Sequence, residues 1–170
     1  MRHLTPAGYR VMPWANGRGQ TVELWREDGP DGMLWRLSLA TVAEDGPFSL
    51  LPGVERNLTV IDGPGFDLVG ALHLRADPLR PVAFPGDVVL AAMGVTAASQ
   101  DFNVMTARRL PLPRVCVVQD GMAEPAGGLL CLFAMAPALV AGRALGRHDL
   151  VMTRTEVRVT GRVLAVGLAV

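Results

Sequence analysis

The chain of 170 residues contains no lysine; all sixteen of its Lys and Arg positions are arginine. That absence excludes lysine Schiff-base chemistry, a lysine general base and the lysine of a nucleotide phosphate loop. Metal ligands are sparse as well. His3, His73 and His148 stand singly, with no His-X-His or His-X-X-X-His spacing, and Cys116 and Cys131 lie far apart. A metal would have to be assembled from distant parts of the chain, so neither a metal nor a cofactor is expected. Charge of one sign is missing too: sixteen acidic residues balance sixteen basic ones, and no run of like charge is longer than the Arg108-Arg109 pair. Without a basic footprint, neither nucleic acid nor an anionic membrane is an expected partner. No apolar run reaches the length of a membrane span, and no basic-then-apolar signal segment opens the chain. Both cysteines sit in apolar runs, RVCVV and LLCLF, and read as buried thiols of a cytoplasmic protein rather than as a disulfide. Ser38, Ser49 and Ser99 lack a Gly-X-Ser-X-Gly elbow. Carboxylates are available in Glu23, Glu55, Asp62, Asp87 and Asp101, but nothing in their spacing pairs them, so no catalytic residue is assigned.

What the chain does have is punctuation. Thirteen prolines and nineteen glycines leave little room for long helices, and the intervals are rich in Val, Leu and Thr. Strands are expected at Thr21–Trp25, Leu34–Ala40, Asn57–Ile61, Phe66–Val69, Val88–Ala92, Phe102–Thr106, Val115–Val118, Leu129–Met135, Leu150–Met152, Glu156–Val159 and Val163–Leu168. Turn signals such as EDGP, LPG, DGPG, PGD and TGR separate them. This is the pattern of an all-β sandwich, barrel or jelly roll. The best helix candidate is the alanine-rich Ala136–Leu145, which Pro137 and Gly142 interrupt. Length and composition fit one compact unit, 1–170. A faint repeat suggests a duplication at about 1–100 and 101–170: FDLVG followed by LRPVAFPGDVVL is echoed by ALVAG followed by ALGRHDLVM. A glycine turn and X-Gly-Asp before an apolar strand also recur in cupin-type barrels.

The stretch MPWANGRGQTVELW, residues 12–25, is the most unusual local feature. A dinucleotide loop needs a third glycine and a following helix, but here a strand-like run follows. A turn at Asn16 and Gly17 describes the backbone instead. Elsewhere, polar residues interrupt apolar strands. In WRLSLA the period of two sets Arg36, Ser38 and Ala40 against Trp35, Leu37 and Leu39; in DFNVM it sets Asp101, Asn103 and Met105 against Phe102 and Val104. Each polar face is either the wet side of a half-buried sheet or the wall of a pocket. Arg56 is either a salt-bridged loop residue or a ligand clamp.

The same stretches make the chain resemble the HutD/Ves family of cupin-like proteins. The matching residues are MPWANGRGQTVEL at 12–24, WRLSLATVAEDGPFSLLPGVERNLTVIDGPG at 35–65, PVAFPGD at 81–87 and DFNVMTARR at 101–109, with a weaker echo in LGRHDLVM at 145–152. The chain departs from the family pattern at Arg18, Leu51, Glu55 and Asn57, where glycine, an aromatic residue, aspartate and threonine are usual. The resemblance implies a double-stranded β-helix or jelly-roll barrel, either single or as two cupin-like halves forming a bicupin. It also implies an association with histidine utilisation as a sensor or moderator of pathway intermediates. On that reading Trp14, Asn16, the Gly17-Gly19 turn, Arg36, Ser38, Arg56 and Asn103 line a pocket for a small carboxylated metabolite. Arg36 or Arg56 supplies charge, Trp14 an apolar lid, and the two asparagines directional bonds. A metal-independent isomerase or hydrolase using Glu55 or Asp101, and a protein-interaction module whose polar strand faces join into a flat patch, are the rival readings. A homodimer is left open.

Overall fold

The computed structural model describes residues 1–14 and 19–170. Its chain divides into two compact units, one of Arg10–Arg109 and one of Met1–Tyr9 with Leu110–Val170. The first strand, β1 (Arg2–Leu4), belongs to the second of these units. The N-terminal unit is built from β2 (Arg10–Pro13), β3 (Gln20–Gly29), β4 (Gly32–Val42), β5 (Gly46–Pro47), β6 (Val54–Asp62), β7 (Phe66–Gly70), β8 (His73–Ala76), β9 (Val82–Pro85), β10 (Leu90–Met93) and β11 (Ser99–Ala107). The C-terminal unit adds β12 (Arg114–Gln119), β13 (Met122–Ala123), β14 (Leu129–Ala134), β15 (Ala138–Val140), β16 (Arg143–Leu145), β17 (Leu150–Thr153), β18 (Val157–Thr160) and β19 (Arg162–Leu168).

Each unit is a jelly-roll sandwich of two sheets that do not join into a closed barrel. In the N-terminal unit the orders are β2-β3-β4-β11-β6-β9 and β5-β10-β7-β8; in the C-terminal unit they are β1-β17-β14-β19-β12 and β13-β18-β15-β16. The core orders correspond strand for strand. Adding eight to each label turns β4-β11-β6-β9 into β12-β19-β14-β17, and β5-β10-β7-β8 into β13-β18-β15-β16. Hairpin β2–β3 on one unit and β1 on the other lie outside this common frame. In this frame ALVAG, on β15, matches FDLVG, on β7. The two aspartate turns do not match: PGD lies between β9 and β10, GRHD between β16 and β17.

Every strand expected from composition overlaps an observed one. The helix candidate Ala136–Leu145 is instead the hairpin β15–β16, in which Val140 faces Arg143 across a two-residue loop. Ala141 and Gly142 both have positive φ, 49° and 77°, the conformation that suits tight hairpins to the twist of their strands. Ala138 and Ala144 are in extended backbone because Val140 and Leu145, on the same two strands, bury themselves in the apolar cluster of this unit. Cys131 is buried and its thiol is pushed up to about 12 by burial; Cys116 is only half-buried, contrary to expectation, and both thiols are free. His148 sits in a turn at φ 71° and stacks on Phe133. Asp149 Oδ2 accepts from Gly146 N and lies 2.8 Å from His3 Nε2, which ties the N-terminal strand to the GRHD turn. No helix among the described residues is long and apolar enough to cross a membrane.

The interior of the N-terminal unit packs Leu58, Val60 and Phe84 of the larger sheet against Phe66, Leu68, Leu90 and Ala92 of the smaller one. The turn entering β7 depends on Gly65. Its φ is +80°, and an added Cβ would lie 2.1 Å from the carbonyl oxygen of Ala76. Gly65→Ala should therefore destabilise the protein by about 2 kcal/mol or more, since strained φ and backbone collision add. Urea denaturation of the variant beside the native chain measures this, and an unchanged midpoint would refute it.

Candidate functional site

The site is a polar patch on an otherwise apolar interior wall, and strand register places it. Residues directly opposite one another on paired strands project to the same face. Asn103 on β11 lies opposite Ser38 on β4 and Leu58 on β6; Asp101 lies opposite Ala40 and Val60; Met105 lies opposite Arg36 and Arg56. Because Leu58 and Val60 belong to the interior cluster, the row of Arg36, Ser38, Arg56, Asp101 and Asn103 faces inward. Asp101 is 1% exposed, Asn103 2% and Arg56 8%. The wet-face alternative therefore does not apply to these strands; Trp35, Leu37, Leu39, Phe102 and Val104, on the opposite face, are buried as well.

A guanidinium inside a sandwich needs acceptors and a tolerant apolar surround. Arg56 has both. Its carbon Cζ lies 5.0 Å from the centre of the Phe48 ring and 5.2 Å from that of Phe84, and the two rings meet edge to face. Nη2 donates to Asn103 Oδ1 at 3.1 Å, and Asn103 Nδ2 donates in turn to Asp101 Oδ2. The amide is thus oriented from both ends. Burial moves Arg56 down to about 10, partly offset by Asp101 and reinforced by Arg36, so it remains cationic at neutral pH. Burial moves Asp101 the other way, up to about 7, against the opposing pull of Asn103 and Arg56.

The donor–acceptor balance is incomplete. Arg56 Nε, Arg36 Nη2 and Asp101 Oδ1 are buried without a hydrogen-bond partner among the described residues. Arg36 Nε lies 2.7 Å from Glu23 Oε2; this is an ion pair by distance, yet the N–H is not directed at the oxygen and Nε also has no hydrogen-bond acceptor among the described residues. Buried polar atoms left open in this way are costly unless something completes them. Two cations face Glu23 and a carboxyl that is about half protonated near neutrality, so the patch carries excess positive charge and suits an anion with two acceptor oxygens.

Trp14 stands at the edge of this face. Its Nε1 donates to Thr21 Oγ1 at 2.9 Å, and Thr21 lies opposite Ala40, which projects inward. The indole rests on Gly19, where an added Cβ would be 2.8 Å from the ring, and Trp14 N bonds Gly19 O at 2.9 Å. Gly19 is glycine because the indole occupies the side-chain position. Asn16, Gly17 and Arg18 lie outside the described residues. The structure thus brings Arg36, Ser38, Arg56 and Asn103 onto one wall with Trp14 at its margin.

Three contributors to the patch are absent from the sequence reading of the site: Phe48, Phe84 and Glu23. Asp101 had been weighed only as a base for the rival enzyme. The other carboxylate weighed for that role, Glu55, lies opposite Thr106 on the other face, where it and Asp87 bind Arg108. It is not part of the patch. Among the described residues no three His, Cys, Asp or Glu side chains gather to hold a metal ion.

Comparison with known proteins follows the same outline. A family model described as HutD matches residues 7–167. HutD from Pseudomonas fluorescens SBW25, in its formate condition, superposes with a TM-score of 0.86 at 32% identity, covering 98% of this chain and 97% of that one. A conserved protein of unknown function from Pseudomonas aeruginosa PAO1 gives 0.84 at 31% identity, over 99% and 98%. An uncharacterised 21.2 kDa protein from the region 3′ of hutC in Pseudomonas putida is 37% identical over 107 residues, 58% of this chain; the match spans about half, 54%, of that curated relative. A cupin 2 conserved barrel domain protein from Leptotrichia buccalis shares the fold alone, with a TM-score of 0.55 at 8% identity over 87% and 88% of the two chains.

Asp101 gives the site a pH signature. Its folded value is raised from 3.8 to about 7, so the folded state keeps a proton that the unfolded chain releases. The stabilisation is complete below about pH 4 and is lost as pH climbs to about 7. Asp101→Asn keeps an acceptor for Asn103 and cannot ionise. Its melting temperature relative to the native chain should therefore rise between pH 4 and pH 7 and level off above, and a difference constant with pH would contradict the assignment.

Proposed function

Because the chain belongs to the HutD family and has its cupin-like fold, we propose that it binds a small carboxylated metabolite on the inner wall of its N-terminal unit and acts in histidine utilisation as a sensor or moderator. One observation carries this reading: Arg56, buried against Phe48 and Phe84, finds no acceptor for its Nε among the described residues while Asn103 holds Nη2. A carboxylate oxygen is the natural acceptor for that N–H, and Arg36 is a second donor with open N–H groups. Trp14 closes the apolar side. The P. putida relative from the region 3′ of hutC supports the pathway.

The rival reading is a metal-independent isomerase or hydrolase. Asp101 favours it, since its Oδ1 is open and its titration near 7 suits a general base. Turnover of a bound carboxylate, lost in Asp101→Asn with binding retained, would establish an enzyme; binding without turnover supports the sensor.

A thermal-shift screen against urocanate, formiminoglutamate, formylglutamate and formate identifies the ligand, because a molecule bound only by the folded state raises the melting temperature. For the best of them, Arg56→Ala should weaken calorimetric affinity by about 2 kcal/mol, roughly 30-fold. Affinity should also fall as pH rises through about 7, where Asp101 becomes an anion beside the incoming one. Affinity unchanged from the native chain in both Arg56→Ala and Arg36→Ala would remove both arginines from the site.

A further inference from the structure

The C-terminal unit contains a cavity of about 200 Å³ on the inner face of β12, β19 and β14. Register explains the space. Arg114, Gly167 and Leu130 form one cross-strand row, and Cys116 and Ala165 form part of the next. Gly167 and Ala165 fill the centre of the sheet with almost no side chain, so a hollow remains where larger residues would meet the core. Ala126 reaches in above Gly167, whose added Cβ would lie 2.9 Å from that of Ala126 and 3.7 Å from that of Arg114. The segment carrying Glu124 is thereby brought to the end of the cavity that holds Arg114, and both line it.

Its position repeats that of the first site. In the strand-for-strand correspondence β12, β19 and β14 stand for β4, β11 and β6, the three strands that carry Arg36, Asn103 and Arg56. The chemistry differs. Leu130 and Ala165 are buried and apolar, Cys116 adds a thiol, and the charges lie at the rim: Arg114 and Glu124 are exposed, and neither is joined to the other or to any other described group. Opposite charges at the mouth of an apolar hollow match a molecule with both charges on one end and an apolar tail. We propose that this cavity is a second small-molecule site, and that it takes a zwitterion of amino-acid size with an apolar side chain. Arg114 receives the carboxylate, Glu124 the ammonium group, and the tail lies over Gly167 and Ala165.

Cys116 provides the test in the native chain. Cys131 is fully buried and its thiol is held protonated, so alkylation by N-ethylmaleimide at pH 7, read by mass spectrometry, reports Cys116. Saturating L-leucine or L-methionine should slow this labelling at least fivefold. Isoamylamine and 4-methylpentanoate, each lacking one of the two charges, should leave the rate within twofold of the free protein. Arg114→Ala and Glu124→Gln, both surface changes, should lose the protection while keeping the native melting temperature; Arg56→Ala should keep it. Labelling unaffected by either amino acid, equal protection by the amine or the acid, or protection retained in both rim variants would overturn the proposal.

Discussion

A guanidinium packed against two phenylalanine rings inside a β-sandwich is the constraint around which the N-terminal unit is arranged. Arg56 is accommodated because its flat faces tolerate apolar neighbours while its edge demands acceptors. Among the described residues Asn103 is the side chain that accepts from it, and that amide is in turn fixed by Asp101. Each member of the chain therefore depends on the next, and the carboxyl at its end is poised near neutrality by burial. Such a network, satisfied at one edge and open at the other, is polarised toward an anion before any anion arrives.

Much of this was legible in the sequence. The period of two in WRLSLA and DFNVM sorted Arg36, Ser38, Asp101 and Asn103 onto common faces, and the observed register agrees. What alternation cannot say is whether a polar face meets water or lines an interior, since both read as the same pattern. That was decided by Leu58 and Val60, neighbours of Asn103 and Asp101 through pairing of distant strands. The Phe48–Phe84 clamp was invisible for the same reason: its two rings are brought to Arg56 by tertiary packing, not by spacing.

The fold was read more fully than its details. Turn residues and β-branched runs located the longer strands, whereas the short ones, such as β5 and β13, carry too few residues for periodicity to register. Alanine content at Ala136–Leu145 pointed to a helix, but Ala141 and Gly142 turn the chain back on itself. Pairing of Leu139 and Val140 with β18 outweighs intrinsic preference there. The repeat was glimpsed through ALVAG and then misaligned, because aspartate turns occur at different corners in the two sandwiches.

The pairing of β1 with β17 means that neither sandwich can be excised cleanly by cutting the chain once. A fragment beginning at Leu110 would forfeit the strand that covers β17, leaving a row of unsatisfied amides and carbonyls on a newly bare flank, an invitation to adhesion between molecules. Any cargo fused ahead of Met1 would, by the same pairing, ride on the half of the protein that sequence order places last.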